Sequence, residues 1–257
     1  YSEDGFIGLG WYLSGNSKIS IAPQNRYFDV VAKGYRLDGN DAFLLNGERI
    51  LPVNGGLNSA DGTEYRTESE SFQRITSHGN ISGMPESFEV ETKQGHKYVY
   101  GSSSSYYNTT EIGFGGIFSV VEWYLKFVED KNGNQIHYFY DQDNKDRISE
   151  IKYGINNGSS ALYSVKFEYI KKNNDFSHGG VNFMKKQDKL LLEIKGYIGK
   201  ELYKRYKFQY QNNTAYQLNE VTESGSDGSS FNSQKFKYGK SVSATKLSGI
   251  NQLGLSL

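Results

Sequence analysis

The stretch Val120–Asp141 reads VVEWYLKFVEDKNGNQIHYFYD. Trp123, Leu125 and Phe127 recur at every second position, and Ile136, Tyr138 and Tyr140 do the same beyond Asn132-Gly133. Period two places each trio on one face of a strand. An Asn-Gly pair between two such runs predicts a hairpin closed by a type I′ turn, because both central residues of that turn need positive φ. The stretch therefore reads as strand, turn and strand. Trp123, Gly133, Tyr138 and Tyr140 are its expected structural anchors. Trp11, the other of the two tryptophans, is the expected anchor of the N-terminal region. His137 falls on the face opposite Tyr138, as a surface strand residue.

The same pattern extends in both directions. In SFEVETKQGHKYVYG, Phe88 and Val90 alternate with acids, Gln94-Gly95 is a turn, and Tyr98 and Tyr100 alternate again. In KLLLEIKGYIGKELYKRYKFQY, the Lys, Leu and Glu content suits a helix, but Leu190, Leu192 and Ile194 alternate, as do Tyr206, Phe208 and Tyr210. Gly196 and Gly199 would each cost a helix interior about 1 kcal/mol. A hairpin is the better reading.

An aromatic-x-Tyr pair recurs at Tyr98/Tyr100, Tyr138/Tyr140, Phe167/Tyr169, Phe208/Tyr210 and Phe236/Tyr238, each followed by polar or glycine-rich residues. The closing tyrosines are spaced by 40, 29, 41 and 28 residues. Spacings in that range mark a repeated supersecondary unit, here successive hairpins laid side by side in one winding antiparallel sheet. No segment is a convincing linker, so residues 1–257 read as a single all-β domain. GSSSSYYNTTEIGFGG, residues 101–116, is the best candidate for a long loop or an internal break, and HGGVNF, residues 178–183, is a second loop.

Composition supports an all-β chain and narrows the function. The 257 residues include 21 Tyr, 15 Phe and 29 Gly against 3 Pro. Aromatics suit a pleated, half-buried surface, and glycine supplies turns. The 29 basic and 29 acidic residues cancel, with no basic run, so nothing points to nucleic acid. With no cysteine there is neither a disulfide framework nor a thiolate metal site. No apolar run is long enough to form a transmembrane helix. The opening YSEDGFIGLGW lacks both an initiator Met and an apolar leader core, which reads as a piece of a longer protein.

The motifs that carry chemistry give little. Asp141, Asp143 and Asp146 resemble a cation loop, but Lys145 stands at a ligand position and the obligatory glycine is missing. They read as a solvated hairpin turn, with Arg147 in an exposed pair worth at most about 1 kcal/mol. His78, His96, His137 and His178 are scattered, which argues against zinc. GLGWYLSG lacks the third glycine of a dinucleotide loop and has no preceding strand. Glu68/Glu70 and Glu89/Glu91 share strand faces by period two and could serve a glycosidase, but such spacing is also the ordinary solvent face of a strand. No G-x-S-x-G elbow is present. Exposed tyrosines leave a carbohydrate- or cell-surface-binding module as the alternative function.

Eight segments carry a resemblance. GNQIHYFYDQDNKDRISEIKYG resembles one degenerate YD repeat through Gly133, Tyr138, Tyr140, Asp141, Arg147, Ile148 and Gly154. GLGWYLSGNSKIS, DAFLLNGERIL, EYRTESESFQRI, PESFEVETKQGHKYVYG, WYLKFVEDKNGNQIHYFY, KRYKFQYQ and LNEVTESGSDG resemble, in order, segments of the SpvB-type N-terminal region of insecticidal toxin-complex B components and Rhs (YD-repeat) proteins. Asn46 stands where that pattern has Asp, and the repeat's turn glycine is absent. The resemblance implies a large curved antiparallel sheet, part of a β-shell. It implies a non-enzymatic scaffold of an exported bacterial protein, secreted or at the cell surface. The shell would enclose or carry a toxic or effector segment located elsewhere. Its implied partners are the remaining Rhs/YD-repeat parts of its own longer chain, an encapsulated toxin segment, and secretion or toxin-complex subunits. It implies no catalytic residue and no cofactor.

Overall fold

The computed structural model describes residues 4–239 apart from 38, 54–58, 102–108, 115–116, 145, 181–182 and 213–215. The strands in chain order are β1 (Asp4–Gly5), β2 (Gly8–Leu9), β3 (Lys18–Ala22), β4 (Ala42–Leu45), β5 (Glu48–Pro52), β6 (Glu64–Thr67), β7 (Arg74–His78), β8 (Ser87–Glu91) and β9 (Lys97–Gly101). They continue with β10 (Thr109–Phe114), β11 (Ile117–Glu129), β12 (Asn134–Tyr140), β13 (Ile148–Asn156), β14 (Tyr163–Gly180), β15 (Phe183–Ile198), β16 (Glu201–Asn212), β17 (Tyr216–Gly225) and β18 (Gln234–Lys235). One helical turn, α1 (Arg26–Asp29), interrupts them. Every pairing between named strands is antiparallel.

One 16-stranded sheet contains β3–β18. It closes on itself once. β3 to β9 run as a meander whose first strand pairs with β11 at Glu122–Tyr124 and whose last pairs with β11 at Leu125–Glu129. These eight strands form a barrel. From the other end of β11 the sheet departs as an open meander, β12 through β18. β11 is thus a shared wall, and shared walls are covered on both faces. Val120, Val121, Glu122, Trp123, Tyr124 and Leu125 are all buried, despite their alternating pattern.

The barrel is filled from inward positions. Trp123 is fully buried, and its ring meets Phe43 and Phe88 edge-to-face at 5.5 and 5.0 Å. Its indole N–H donates to the Pro85 carbonyl at 2.8 Å, so the ring's single polar atom is satisfied inside an apolar core. Gly101 makes the seat: at φ +72°, a Cβ there would lie 2.7 Å from both the Glu86 carbonyl oxygen and Trp123 Cδ1. Tyr65, Ile19, Ile50, Ile75 and Met84 complete the filling.

The open sheet has its own cluster, in which Ile7, Leu191 and Leu218 are buried. An N-terminal strap covers it. The Leu191 amide donates to the Phe6 carbonyl at 2.7 Å, and Gly8 (φ +88°) passes so close to β17 that a Cβ would sit 2.6 Å from the Tyr216 carbonyl oxygen. Trp11 ends the strap. It is 37% exposed, and it donates its indole N–H to the Tyr238 hydroxyl at 2.9 Å while packing edge-to-face on Phe236. It anchors one end of the chain to the other rather than filling a core.

Several expectations need correction. The 132–133 turn is not type I′. Gly133 has φ +79°, but Asn132 is not among the positive-φ residues. The Gly133 amide donates to the Asp130 carbonyl and the Asp130 amide to Asn134, the pattern of a type I turn closed by a glycine bulge. The Asp130 carboxylate accepts from the amides of Asn132 and Asn134 and from the Asn134 side chain, which holds that form. The type I′ turns are elsewhere: Asn46-Gly47 (φ +53°, +88°), Ser82-Gly83 (+52°, +86°) and Asn157-Gly158 (+48°, +77°). Phe127 does not share the face of Trp123 and Leu125, because Lys126 is a bulge that reverses the alternation. Val128 packs toward the core instead, and Phe127 stacks on His137, which is half-buried. Part of the expected loop 101–116 is strand β10, paired with β11. Residues 102–108 lie outside the described residues. Of the expected loop 178–183, His178–Gly180 end β14 and Phe183 begins β15, while 181–182 lie outside the described residues. Two-residue β1 does precede GLGWYLSG.

Candidate functional site: a tyrosine row across the sheet

The five aromatic-x-Tyr pairs fall into line. Tyr140 donates its hydroxyl to the Leu125 carbonyl at 2.8 Å, Tyr169 to Ile148 at 2.7 Å, Tyr210 to Leu191 at 2.6 Å and Tyr238 to Leu218 at 2.6 Å. Each acceptor residue is in turn the ladder partner of the preceding tyrosine: Leu125 of Tyr100, Ile148 of Tyr140, Leu191 of Tyr169 and Leu218 of Tyr210. The links therefore form one transverse row from the barrel to the open edge. The row begins at Tyr100, whose hydroxyl lies 2.8 Å from Ser17 Oγ.

The register explains why these carbonyls are free to accept. Immediately after each acceptor, one residue is bulged out of the ladder: Lys126, Ser149, Leu192 and Asn219. A bulge disrupts the ladder locally and re-aims the side chains next to it. The aliphatic acceptors Leu125, Ile148, Leu191 and Leu218 are at most 2% exposed. The tyrosine hydroxyls thus satisfy buried acceptors. Because Leu192 is the bulge, it is Leu191 that enters the core, not Leu192 as simple alternation predicts. Burial pushes the Tyr100 phenol up to about 12, and burial likewise raises Tyr140, Tyr169 and Tyr210, so all four stay protonated.

A charged cluster sits where barrel and open sheet meet. Arg147 is 1% exposed. Its Nε and Nη2 donate to Asp141 Oδ2 at 3.1 Å, and its Nη1 donates to Asp188 Oδ1 at 2.8 Å. Lys189 reaches Asp141 at 3.2 Å. Burial pushes the Asp141 carboxyl up, but the Asp143 amide, Lys189 and Arg147 outweigh it and hold the group below its usual value. Lys18 bridges Glu122 Oε1 (2.7 Å) and Asp146 Oδ1 (3.2 Å), with the Tyr124 hydroxyl between the same two acids. Burial opposes the Lys18 charge, but Glu122 and Asp146 raise its pKa well above the ordinary value. The expected exposed Arg147 pair is therefore a buried one, because its second acid comes from β15, 41 residues away. Asp141, Asp143 and Asp146 are engaged as turn acceptors and ion partners. Among the described residues no group of three or more acids and histidines is arranged to hold a metal.

The other candidate acids do not converge. Glu68 and Glu70 lie beyond the end of β6, not on a strand face, and Glu70 accepts the Phe72 amide. Glu89 and Glu91 do lie on β8, where they pair with Lys97 and Arg74.

Sequence comparison with family models and with curated proteins finds no match. Solved structures do match. The N-terminal domain of effector protein SpvB from Salmonella typhimurium strain LT2 superposes with TM-score 0.68 at 15% identity, over 87% of this chain and 91% of that one. A TcdB2-TccC3 crystal structure gives 0.69 at 16% identity, over 90% of this chain and 14% of that one. The Photorhabdus luminescens Tc holotoxin pore gives 0.64 at 18% identity, over 89% and 14%. The chain spans nearly the whole SpvB domain but only about a seventh of the toxin-complex chains. These superpositions show that the chain has the fold of the SpvB N-terminal domain and of the matching region of the toxin-complex chains.

Proposed function

We propose that this chain is a non-enzymatic scaffold domain of an exported toxin-complex-like bacterial protein, a section of a β-shell whose toxic or effector segment lies elsewhere. The observation that carries the reading is the tyrosine row. It is a repeated cross-strand lock that stiffens the sheet along its width, and rigidity of that kind suits a wall. The likeness to toxin-complex chains over about 90% of this chain supports it. Two further features agree. Of the acids weighed for catalysis, Glu70 accepts a turn amide and Glu89 and Glu91 are in ion pairs. Among the described residues the sheet ends at β18, which has no strand on its outer side, the place where a continued sheet would join. In this reading the partners are the other parts of the parent polypeptide and its cargo.

Limited proteolysis of the parent protein tests the proposal. A scaffold within a shell predicts that this region resists cleavage together with its neighbours. Independent release of the region as a soluble fragment, followed by hydrolase or glycan-binding activity in that fragment, would contradict it.

A further inference from the structure

The turn α1 and the residues after it form a rigid, outward-pointing apolar tip on the barrel wall. In a reciprocal cap, the Asn25 side chain accepts from the turn's amides, Tyr27 and Phe28, at 3.0 and 3.1 Å, and the Asp29 carboxylate accepts from the Asn25 amide at 2.8 Å. Two residues face inward. Asp29 pairs with Arg49 of β5 at 2.6 Å, and the Phe28 ring lies 4.5 Å from the guanidinium of the same arginine. Three residues apart, Tyr27 and Val30 then point away from the wall, 84% and 86% exposed, with Val31 at 42%. Val30 is β-branched yet holds φ +65°, a conformation such residues rarely adopt.

Charge selects among the surfaces such a tip could meet. Between Asn25 and Lys33 the cations are Arg26 and Lys33, both exposed, and the one acid is Asp29, turned inward. An exposed basic turn with two apolar side chains and a tyrosine needs no shaped groove. It matches the interface of an anionic bilayer, where tyrosine is favoured and basic residues are drawn to the surface. We propose that residues 26–33 are a membrane-docking tip for an anionic lipid surface, separate from the scaffold role of the sheet.

Co-sedimentation of the 257-residue chain with vesicles tests this. Binding is expected to equimolar phosphatidylcholine–phosphatidylserine vesicles, not to phosphatidylcholine alone, and to weaken with salt. The double variant Tyr27→Ser/Val30→Asn keeps a residue that tolerates positive φ and is expected to lower partitioning about tenfold, with an unchanged circular dichroism spectrum. Arg26→Gln/Lys33→Gln is expected to flatten the salt dependence. Absence of binding to either vesicle, equal binding to both, or wild-type binding by Tyr27→Ser/Val30→Asn would each overturn the proposal.

Discussion

Replacing Tyr169 or Tyr210 by phenylalanine isolates one link of the row. The ring stays, so no cavity forms and the apolar packing on Ile7, Leu191 and Leu218 is kept. What is lost is a 2.7 Å bond to the Ile148 carbonyl in one case and a 2.6 Å bond to the Leu191 carbonyl in the other. Both acceptor residues are 1% exposed. Stranding a buried acceptor costs about 1–3 kcal/mol, against about 1 kcal/mol for an average hydrogen bond with both partners solvated. We therefore expect each variant to lose about 1–2 kcal/mol in urea melts, with an unchanged m-value. For a domain of this size that is a Tm lower by roughly 2–8 °C. Tyr12→Phe, at a residue 83% exposed, is the control and should change stability by less than about 0.5 kcal/mol. The row also predicts coupling. Tyr169 is the ladder partner of Leu191, the residue that accepts from Tyr210, so the double variant should deviate from additivity by at least about 0.5 kcal/mol. If Tyr169→Phe and Tyr210→Phe are as silent as Tyr12→Phe, the row is a by-product of register and does not hold the sheet.

Four further outcomes follow from the same geometry. Trp123→Ala should cost about 3–5 kcal/mol in denaturant melts, since the ring is fully buried. Gly101→Ala should cost at least about 2 kcal/mol, because a Cβ meets backbone and the Trp123 ring at 2.7 Å and φ is +72°. Arg147→Met leaves Asp141 and Asp188 without their shared cation and should lose about 3 kcal/mol, visible as a lower urea midpoint. The tyrosines predict alkaline unfolding. Their folded pKa values are raised, so their contribution is complete below the unfolded value of about 10 and declines as pH rises towards 12, the Tyr100 value. Tyrosinate absorbance should accordingly show Tyr100, Tyr140, Tyr169 and Tyr210 ionising together with the loss of β circular dichroism, not before it.

The parts legible in the sequence were local. Alternation located the hairpins at Ser87–Gly101 and Lys189–Tyr210, and the recurrence of aromatic-x-Tyr marked the row before its bonds were visible. The bulges left no such mark. Lys126, Ser149, Leu192 and Asn219 share no chemistry, and a single inserted residue reverses the face of everything after it. That is why simple alternation puts Phe127 and Leu192 on the wrong face. The Asn-Gly rule failed at 132–133 and holds at 46–47, because Asp130 supplies an acceptor that stabilises a longer turn. Barrel closure depends on β3 and β9 both reaching β11, pairings with no local signature. The burial of Arg147 follows from Asp188, a partner too distant in sequence to be foreseen.

The central claim is that this sheet is one section of a larger wall. A cryo-EM map of the full polypeptide in which the chain occurs tests it most directly. The account predicts strands added beyond β18, the tyrosine row intact, and density enclosed by the continued sheet. A map in which β18 is capped and this region stands apart as a closed domain, with nothing enclosed, would contradict it.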